Sequence, residues 1–261
     1  MKECGVSEKE VRLTISQQRV VKLLFKFRFL SASGLGQVMG IRRASTYEAL
    51  EKLVDKELVT RVYPDKYITE RKPAYYYLNK SGVTAVRKLM DVPESVVHTH
   101  YKNDQATEEF VAHCQTLAQL YVDLLPTLPD GTDVFTKAEI NRFDQFPKNR
   151  PDLYVRTPDG QEAIVVLAVN SPLYVIRKRL DEIIDHSENE GWDGEYPRIC
   201  FVLKNSTATH SFLYTSKRKL ENMGMEDGEL NILVASLTDT GDPSKRLWAN
   251  VMTPKTYTNL F

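Results

Sequence analysis

The chain lacks any long apolar run. The longest unbroken one, Ala163 to Val169, falls far short of the roughly 20 residues that span a bilayer. Its first residues, MKECGVSEKE, are charged and hold no apolar signal segment, so the expectation is a soluble, unexported, cytoplasmic protein with no membrane partner. Cysteine is scarce: Cys4, Cys114 and Cys200 are odd in number, widely spaced and without Cys-x-x-Cys pairing, which argues against a disulfide framework or a zinc finger. His98, His100, His113 and Cys114 offer metal donors but no second matched pair. The first two fall in what reads as a polar linker, so no metal set is expected. Glycine-rich phosphate loops, nucleophile elbows and Ser-His-Asp arrangements are missing as well, and no cofactor is expected.

Net charge is absent too, since 35 Lys and Arg balance 35 Asp and Glu. The balance hides a split. Residues 1–90 carry 18 basic against 9 acidic side chains, a net of +9, and residues 91–261 carry 17 against 26, a net of −9. Such asymmetry points to a basic module for a polyanion joined to an acidic module with another task. A length of 261 residues suits two domains, expected at 1–92 and 93–261.

In the basic part, Val20, Val21, Leu23, Leu24 and Phe27 recur at helical spacing after Ser16, a candidate cap, predicting a helix over 16–28. Ser31 or Ser33 can cap the short segment LGQVMG, and Gly40 sits where a tight turn needs positive φ. The segment beginning IRRASTYEAL carries an apolar stripe of Leu50, Leu53, Val54 and Leu58, and its opposite face is polar and partly basic. This is helix-turn-helix organisation, in which the helix after the turn enters the major groove of duplex DNA. Arg42, Arg43, Ser45, Thr46, Glu48 and Lys52 are the candidates for base edges. Two strands, 58–63 and 74–78, flank a loop with Lys66, Arg71 and Lys72, a basic wing suited to phosphates. The triplet Tyr75, Tyr76, Tyr77 reads as strand packing rather than a stacking platform for bases, and YYYLNKSGVTAV leads into a closing helix through Met90.

The acidic part opens with a long helix over 103–125, stopped by Pro126 and Pro129, with Phe110, Val111, Cys114, Leu117, Ala118, Tyr121, Leu124 and Leu125 expected inward. Strands are predicted near 134–138, 152–157, 163–169, 198–203 and 230–235, with helices over 173–190 and 210–223. This is a layered α/β order, and also that of the PD-(D/E)xK nuclease core. In KNRPDLYVRTPDGQEAIVVLAVN an Arg-Pro-Asp stands at the mouth of one strand, and a very apolar strand follows an Asp-Gly turn. A nuclease strand would then end in Glu-x-Lys. Here it ends in Ala168-Val169-Asn170.

The chain resembles the replication-relaxation family of bacterial plasmids and other mobile elements. The resemblance is carried by the winged helix with its Tyr-rich second strand and LNKSG closing helix, by HTHYKND before the long helix, and by RPDLYV with its apolar partner strand. It implies a DNA-binding protein of plasmid replication, relaxation or mobilisation with a nuclease-like C-terminal domain. On that resemblance Asp152 matches the first metal-binding aspartate, Ala168 stands where the second acid is expected, and Asn170 stands where a lysine or another acid would sit. Mg²⁺ must be held by more than one anionic oxygen beside a phosphate, so a single carboxylate does not suffice. Glu139, Glu162, Lys178 and Arg179 are conceivable substitutes, although Glu162 lies about 20 Å along the strand from Ala168. The expectation is a sequence-specific duplex-DNA-binding protein whose catalytically inactive nuclease-like domain binds a protein partner or a second copy. The alternatives are a Mg²⁺-dependent nuclease or nickase using Asp152 and Glu139, and a transcription repressor whose acidic domain senses a ligand or a protein.

Overall fold

The computed structural model describes residues 12–64, 68–69, 71–189, 192, 194–238, 240 and 248–261. Its contacts group residues 1–111 and 112–261 into two compact units, so the segment after residue 92 up to 111 belongs with the first.

The first unit begins with α1 (Ile15–Phe27), whose cap is Thr14 rather than Ser16. Thr14 has a glutamine three residues on: its hydroxyl accepts from the Gln17 amide at 3.3 Å, and Gln17 Oε1 accepts from the Thr14 amide at 3.1 Å. Ser16 lies within the helix and is exposed. After β1 (Leu30–Ser31), Ser31 Oγ accepts from Gly34 N at 3.0 Å and starts α2 (Ala32–Met39), which ends at Gly40 with φ +66°. Next comes α3 (Arg43–Asp55). It closes with Glu57 at φ +56°, where Leu58 N donates to Leu53 O at 3.0 Å and Glu57 N to Val54 O at 2.9 Å, a Schellman ending built without glycine. Strands β2 (Val59–Val62) and β3 (Tyr75–Leu78) form the hairpin, and the antiparallel order is β1-β3-β2.

Tyr76 and Tyr77 are buried, and the Phe29 ring meets those of Tyr75 and Tyr77 at 5.9 and 5.5 Å, as strand packing predicts. Asn79 caps α4 (Lys80–Arg87), whose Gly82 passes so close to β2 that an added Cβ would stand 2.0 Å from Leu58 O. The supposed linker is helical instead: α5 (Glu94–His100) buries Val96, Val97 and His100. The His100 ring stacks on Phe25 at 4.1 Å, and its two nitrogens lie 2.9 Å from the carbonyls of Val96 and Phe25. His100 is therefore a core residue. The exposed His98 lies 3.8 Å from Glu94.

The long helix, α6, is shorter than expected (Glu108–Leu124), because residues 103–105 make a separate 3-10 turn. Leu125, expected inward, is 40% exposed. A seven-stranded sheet fills the second unit. Its elements are β4 (Asp133–Thr136), α7 (Lys137–Ile140), β5 (Leu153–Arg156), β6 (Glu162–Leu167), α8 (Leu173–Asn189), β7 (Arg198–Leu203), α9 (Ser206–Asn222), β8 (Ile232–Ser236), β9 (Trp248–Asn250) and β10 (Tyr257–Thr258). The order is β10-β9-β8-β7-β6-β5-β4, parallel from β6 to β8 and antiparallel elsewhere. The two last strands had no counterpart in the sequence reading.

The uninterrupted apolar run of β6 has a plain cause: both of its faces are covered. Ala163, Val165 and Leu167 pack in one cluster with Leu117, Leu120 and Leu124 of α6. Ile164, Val166 and Ala168 pack in another with Ile176 and Leu180 of α8 and Phe212 of α9. The result is an α/β unit of three layers.

Candidate nucleic-acid interface and the C-terminal cleft

The turn between α2 and α3 is tight because Gly36 has no side chain: a Cβ there would meet Thr46 Oγ1 at 3.1 Å and Ile41 O at 3.2 Å. That approach decides which residues of α3 face outward. Thr46, a candidate base reader, is fully buried against α2, and its hydroxyl donates to Arg42 O at 3.3 Å, so it cannot reach a groove. Arg42, Arg43, Ser45, Glu48 and Lys52 are exposed. Arg42 occupies the N-cap position without a side-chain cap bond. Arg43 lies over the Tyr47 ring at 5.3 Å and donates to Tyr47 Oη at 3.3 Å.

Two acids temper the rest of the face. Lys52 pairs with Glu48 at 2.8 Å, an interaction that lowers the Glu48 pKa, and Glu51 pairs with Arg61 of β2. The exposed arginines at the start of α3, Arg42 and Arg43, stand at its N-terminal end, where a groove-bound helix presents side chains to bases. Sequence reading missed Tyr47 and Arg61. Arg71, at φ +51°, and Lys72 are exposed just ahead of β3, and Lys66 lies outside the described residues.

In the second unit Asp152 is only 18% exposed, and both of its carboxylate oxygens accept hydrogen bonds. Oδ2 takes the Leu167 amide at 2.8 Å and Oδ1 faces His113 Nε2 at 3.1 Å. The first bond follows from strand lengths: with Leu153 opposite Val165, Leu167 falls across from Pro151, beyond the start of β5, and the Asp152 side chain takes the place of a strand carbonyl. Glu139 is tied down as well. Its Oε2 accepts from the Thr136 amide at 2.8 Å and the Thr136 hydroxyl at 3.2 Å, a capping box for α7. Glu162 accepts from Tyr154 Oη and from Trp192 Nε1. Ala168 is buried, and Asn170 is exposed in the turn after β6. Among the described residues no three His, Cys, Asp or Glu side chains converge on a point that could hold a metal.

Asp152 and Ala168 instead belong to a cleft of about 480 Å³ between the end of β6 and α8, lined also by Lys137, Arg150, Lys178, Arg179 and Glu182. Arg179 is mostly withdrawn from solvent. Burial lowers its pKa, opposed by the charges of Asp152 and Glu182. No helix among the described residues is long and apolar enough to cross a membrane.

Three helices, the strand order β1-β3-β2 and a hairpin beside the helix that follows the turn define a winged helix-turn-helix protein, here carrying an α/β unit. The chain belongs to the replication-relaxation family, which it matches over residues 21–168, a span that includes both α3 and Asp152. No curated protein matches it. Among solved structures it is similar to wild-type ZitR of Lactococcus lactis in complex with DNA, at 20% identity over 45% of this chain and 80% of that one, with a TM-score of 0.26. It is similar to the adhesin competence repressor AdcR of Streptococcus pyogenes at 14% identity, over 44% and 83%, with a TM-score of 0.26. TrmBL2, an archaeal chromatin protein, aligns at 14% identity over 87% and 74%, with a TM-score of 0.23. Scores this low do not define a common fold, and the winged-helix description rests on the connectivity of the chain itself.

Proposed function

We propose that the protein is a sequence-specific double-stranded DNA-binding protein of a plasmid or other mobile element, acting in its replication, its relaxation and mobilisation, or the transcriptional control of these. The observation that carries this reading is the exposed N-terminal end of α3, where Arg42, Arg43 and Ser45 stand on the groove-facing side of a winged helix. Guanidinium groups there suit guanine edges, and Arg71 and Lys72 before β3 suit flanking phosphates. The net +9 of residues 1–90 supplies the sequence-independent attraction. The C-terminal unit, a nuclease-like scaffold in this reading, does not cleave. Asp152 is committed to Leu167 and His113, Glu139 to Thr136, and the next position for an acid is Ala168. It serves as a surface for a protein partner or a second copy, which the excess of 21 acidic over 16 basic side chains in residues 112–261, a net of −5, suits better than DNA.

The test is selection of binding sites from random duplexes by the full chain, followed by affinity measurements across a salt series. A defined site is expected, with affinity falling steeply as salt rises. Arg42→Ala or Arg43→Ala should cost about 1–3 kcal/mol and relax base preference, while Arg71→Ala and Lys72→Ala should weaken all sequences alike. No enriched site and no salt dependence would end the proposal. Mg²⁺-dependent nicking of supercoiled plasmid, lost in Asp152→Ala and Glu139→Ala, would make the protein a nuclease instead.

A further inference from the structure

The cleft beside Asp152 has a charge balance opposite to that of the half-chain holding it. Four cations, Lys137, Arg150, Lys178 and Arg179, face two carboxylates, Asp152 and Glu182, whereas residues 91–261 as a whole are net −9. Both carboxylates are engaged within the protein. Asp152 accepts from Leu167 N and faces His113, and Glu182 accepts from Asn149 Nδ2 at 2.6 Å and lies 3.6 Å from Arg179. Arg150 donates to Phe143 O at 2.6 Å. Lys137 and Lys178 are exposed, and no carboxylate among the described residues pairs with either. With alanine rather than an acid at 168, the cleft wall adds no third carboxylate to Asp152 and Glu182.

Two further features give the cleft a shape. Its rim holds Tyr174, a tyrosine 72% exposed on the first turn of α8, a 17-residue helix whose N-terminal dipole adds positive potential at the same place. A volume of about 480 Å³ lies within the range of small-molecule sites and is too small for a duplex.

From this cleft we infer a metal-independent binding site for a nucleoside phosphate, with Lys137, Lys178 and Arg179 on the phosphate and Tyr174 stacked on the base. The phosphate can come from a free nucleotide or from one nucleotide of a single DNA strand; the recognising chemistry is the same. Aromatic stacking on a base and cations along the backbone are the usual means of holding unpaired strands. The site goes beyond the duplex reading assigned to α3 and uses none of the same residues, so each can fail without the other.

The experiment is isothermal titration of the full chain, in EDTA, with thymidine 3′,5′-bisphosphate, with a 5′-phosphorylated tetrathymidylate and with inorganic phosphate. Saturable binding of the first two is expected. It should weaken about tenfold or more in Lys137→Glu/Lys178→Glu, consistent with loss of charge-assisted contacts. The Arg42→Ala/Arg43→Ala protein, altered outside the cleft, should bind the bisphosphate as the parent does. Tyr174→Ala should bring the bisphosphate down towards the affinity of inorganic phosphate. A tetrathymidylate bound much more tightly than the bisphosphate identifies a strand as the source, and equal affinities identify a free nucleotide. The inference is overturned if neither probe saturates, if binding appears only when Mg²⁺ is added, if the charge-reversed protein, with unchanged thermal unfolding, binds as the parent does, or if inorganic phosphate matches the bisphosphate.

Discussion

Replacing Asp152 with alanine tests whether this carboxylate is a structural acceptor or a reserved metal ligand, because the two roles predict opposite signs of stability change. As an acceptor it holds the Leu167 amide of a strand buried on both faces, and its removal leaves that N–H without a partner. A hydrogen bond to a charged group contributes about 1.5–3 kcal/mol. The His113 contact, whose partner side chain is 32% exposed, is screened by solvent and adds about 0–1 kcal/mol. Together the expected loss is roughly 2–4 kcal/mol. For a unit of 150 residues, from 112 to 261, each kcal/mol lowers Tm by about 2–4 °C, so the midpoint should fall by roughly 9 °C. Asp152→Asn keeps an oxygen for Leu167 and should lose only about 1 kcal/mol.

Urea denaturation followed by tryptophan fluorescence reads this unit selectively, since Trp192 and Trp248, the two tryptophans of the chain, both lie in it. A catalytic carboxylate is commonly held at a cost in stability, and its removal is neutral or stabilising. An Asp152→Ala protein as stable as the parent, or more so, would refute the structural role. Duplex binding should be unchanged in either variant.

Gly82→Ala drives a Cβ into Leu58 O and should destabilise the first unit by about 3 kcal/mol or more, read by circular dichroism during chemical denaturation. An effect below 1 kcal/mol would mean that α4 can move away from β2 at little cost. His100 should make the first unit acid-sensitive. Burial, with the Arg28 charge, lowers its pKa against the pull of the Phe25 and Val96 carbonyls, so the unfolded chain takes up the proton first. The stability contributed by the neutral ring is present above about pH 6.5 and is lost as pH falls from there through the lowered folded pKa. Denaturation midpoints measured between pH 7.5 and 5 should slope less in His100→Phe than in the parent, and equal slopes would contradict this.

The parts of the fold that were legible in the sequence are those whose causes are local. Ser31 before its helix and Gly40 after it act within one turn, and the apolar run of β6 records burial on both faces. The choice of Ser16 as the cap of α1 overlooks Thr14 and its reciprocal partner Gln17, three residues on. Two things hid α5: it is only seven residues long, and two of them are histidines, a residue type that is polar on the page yet buried here at 100. Strands β9 and β10 have three and two residues, too few for any alternation to show.

The site was less legible, for reasons of register rather than composition. Thr46 reads as a groove hydroxyl and is turned inward by Gly36, ten residues earlier. Asp152 reads as a ligand, and only the offset between β5 and β6 shows why the protein keeps a carboxylate there. The cations of the cleft lie between residues 137 and 179 on three different segments, so no spacing in the chain announces them.

The ends of the large sheet bear on how this protein meets others. One border is the four-residue β4, opening on the exposed Asp133, and the other is the two-residue β10. Short borders, one of them starting at a charged residue, expose too little unpaired backbone to accept a visiting strand. Growth by sheet extension, whether into a continuous sheet across two copies or into a fibril, is thus disfavoured at both ends. An assembly of this unit has to be made by side chains on its helices and loops, where single substitutions can tune it without disturbing the fold.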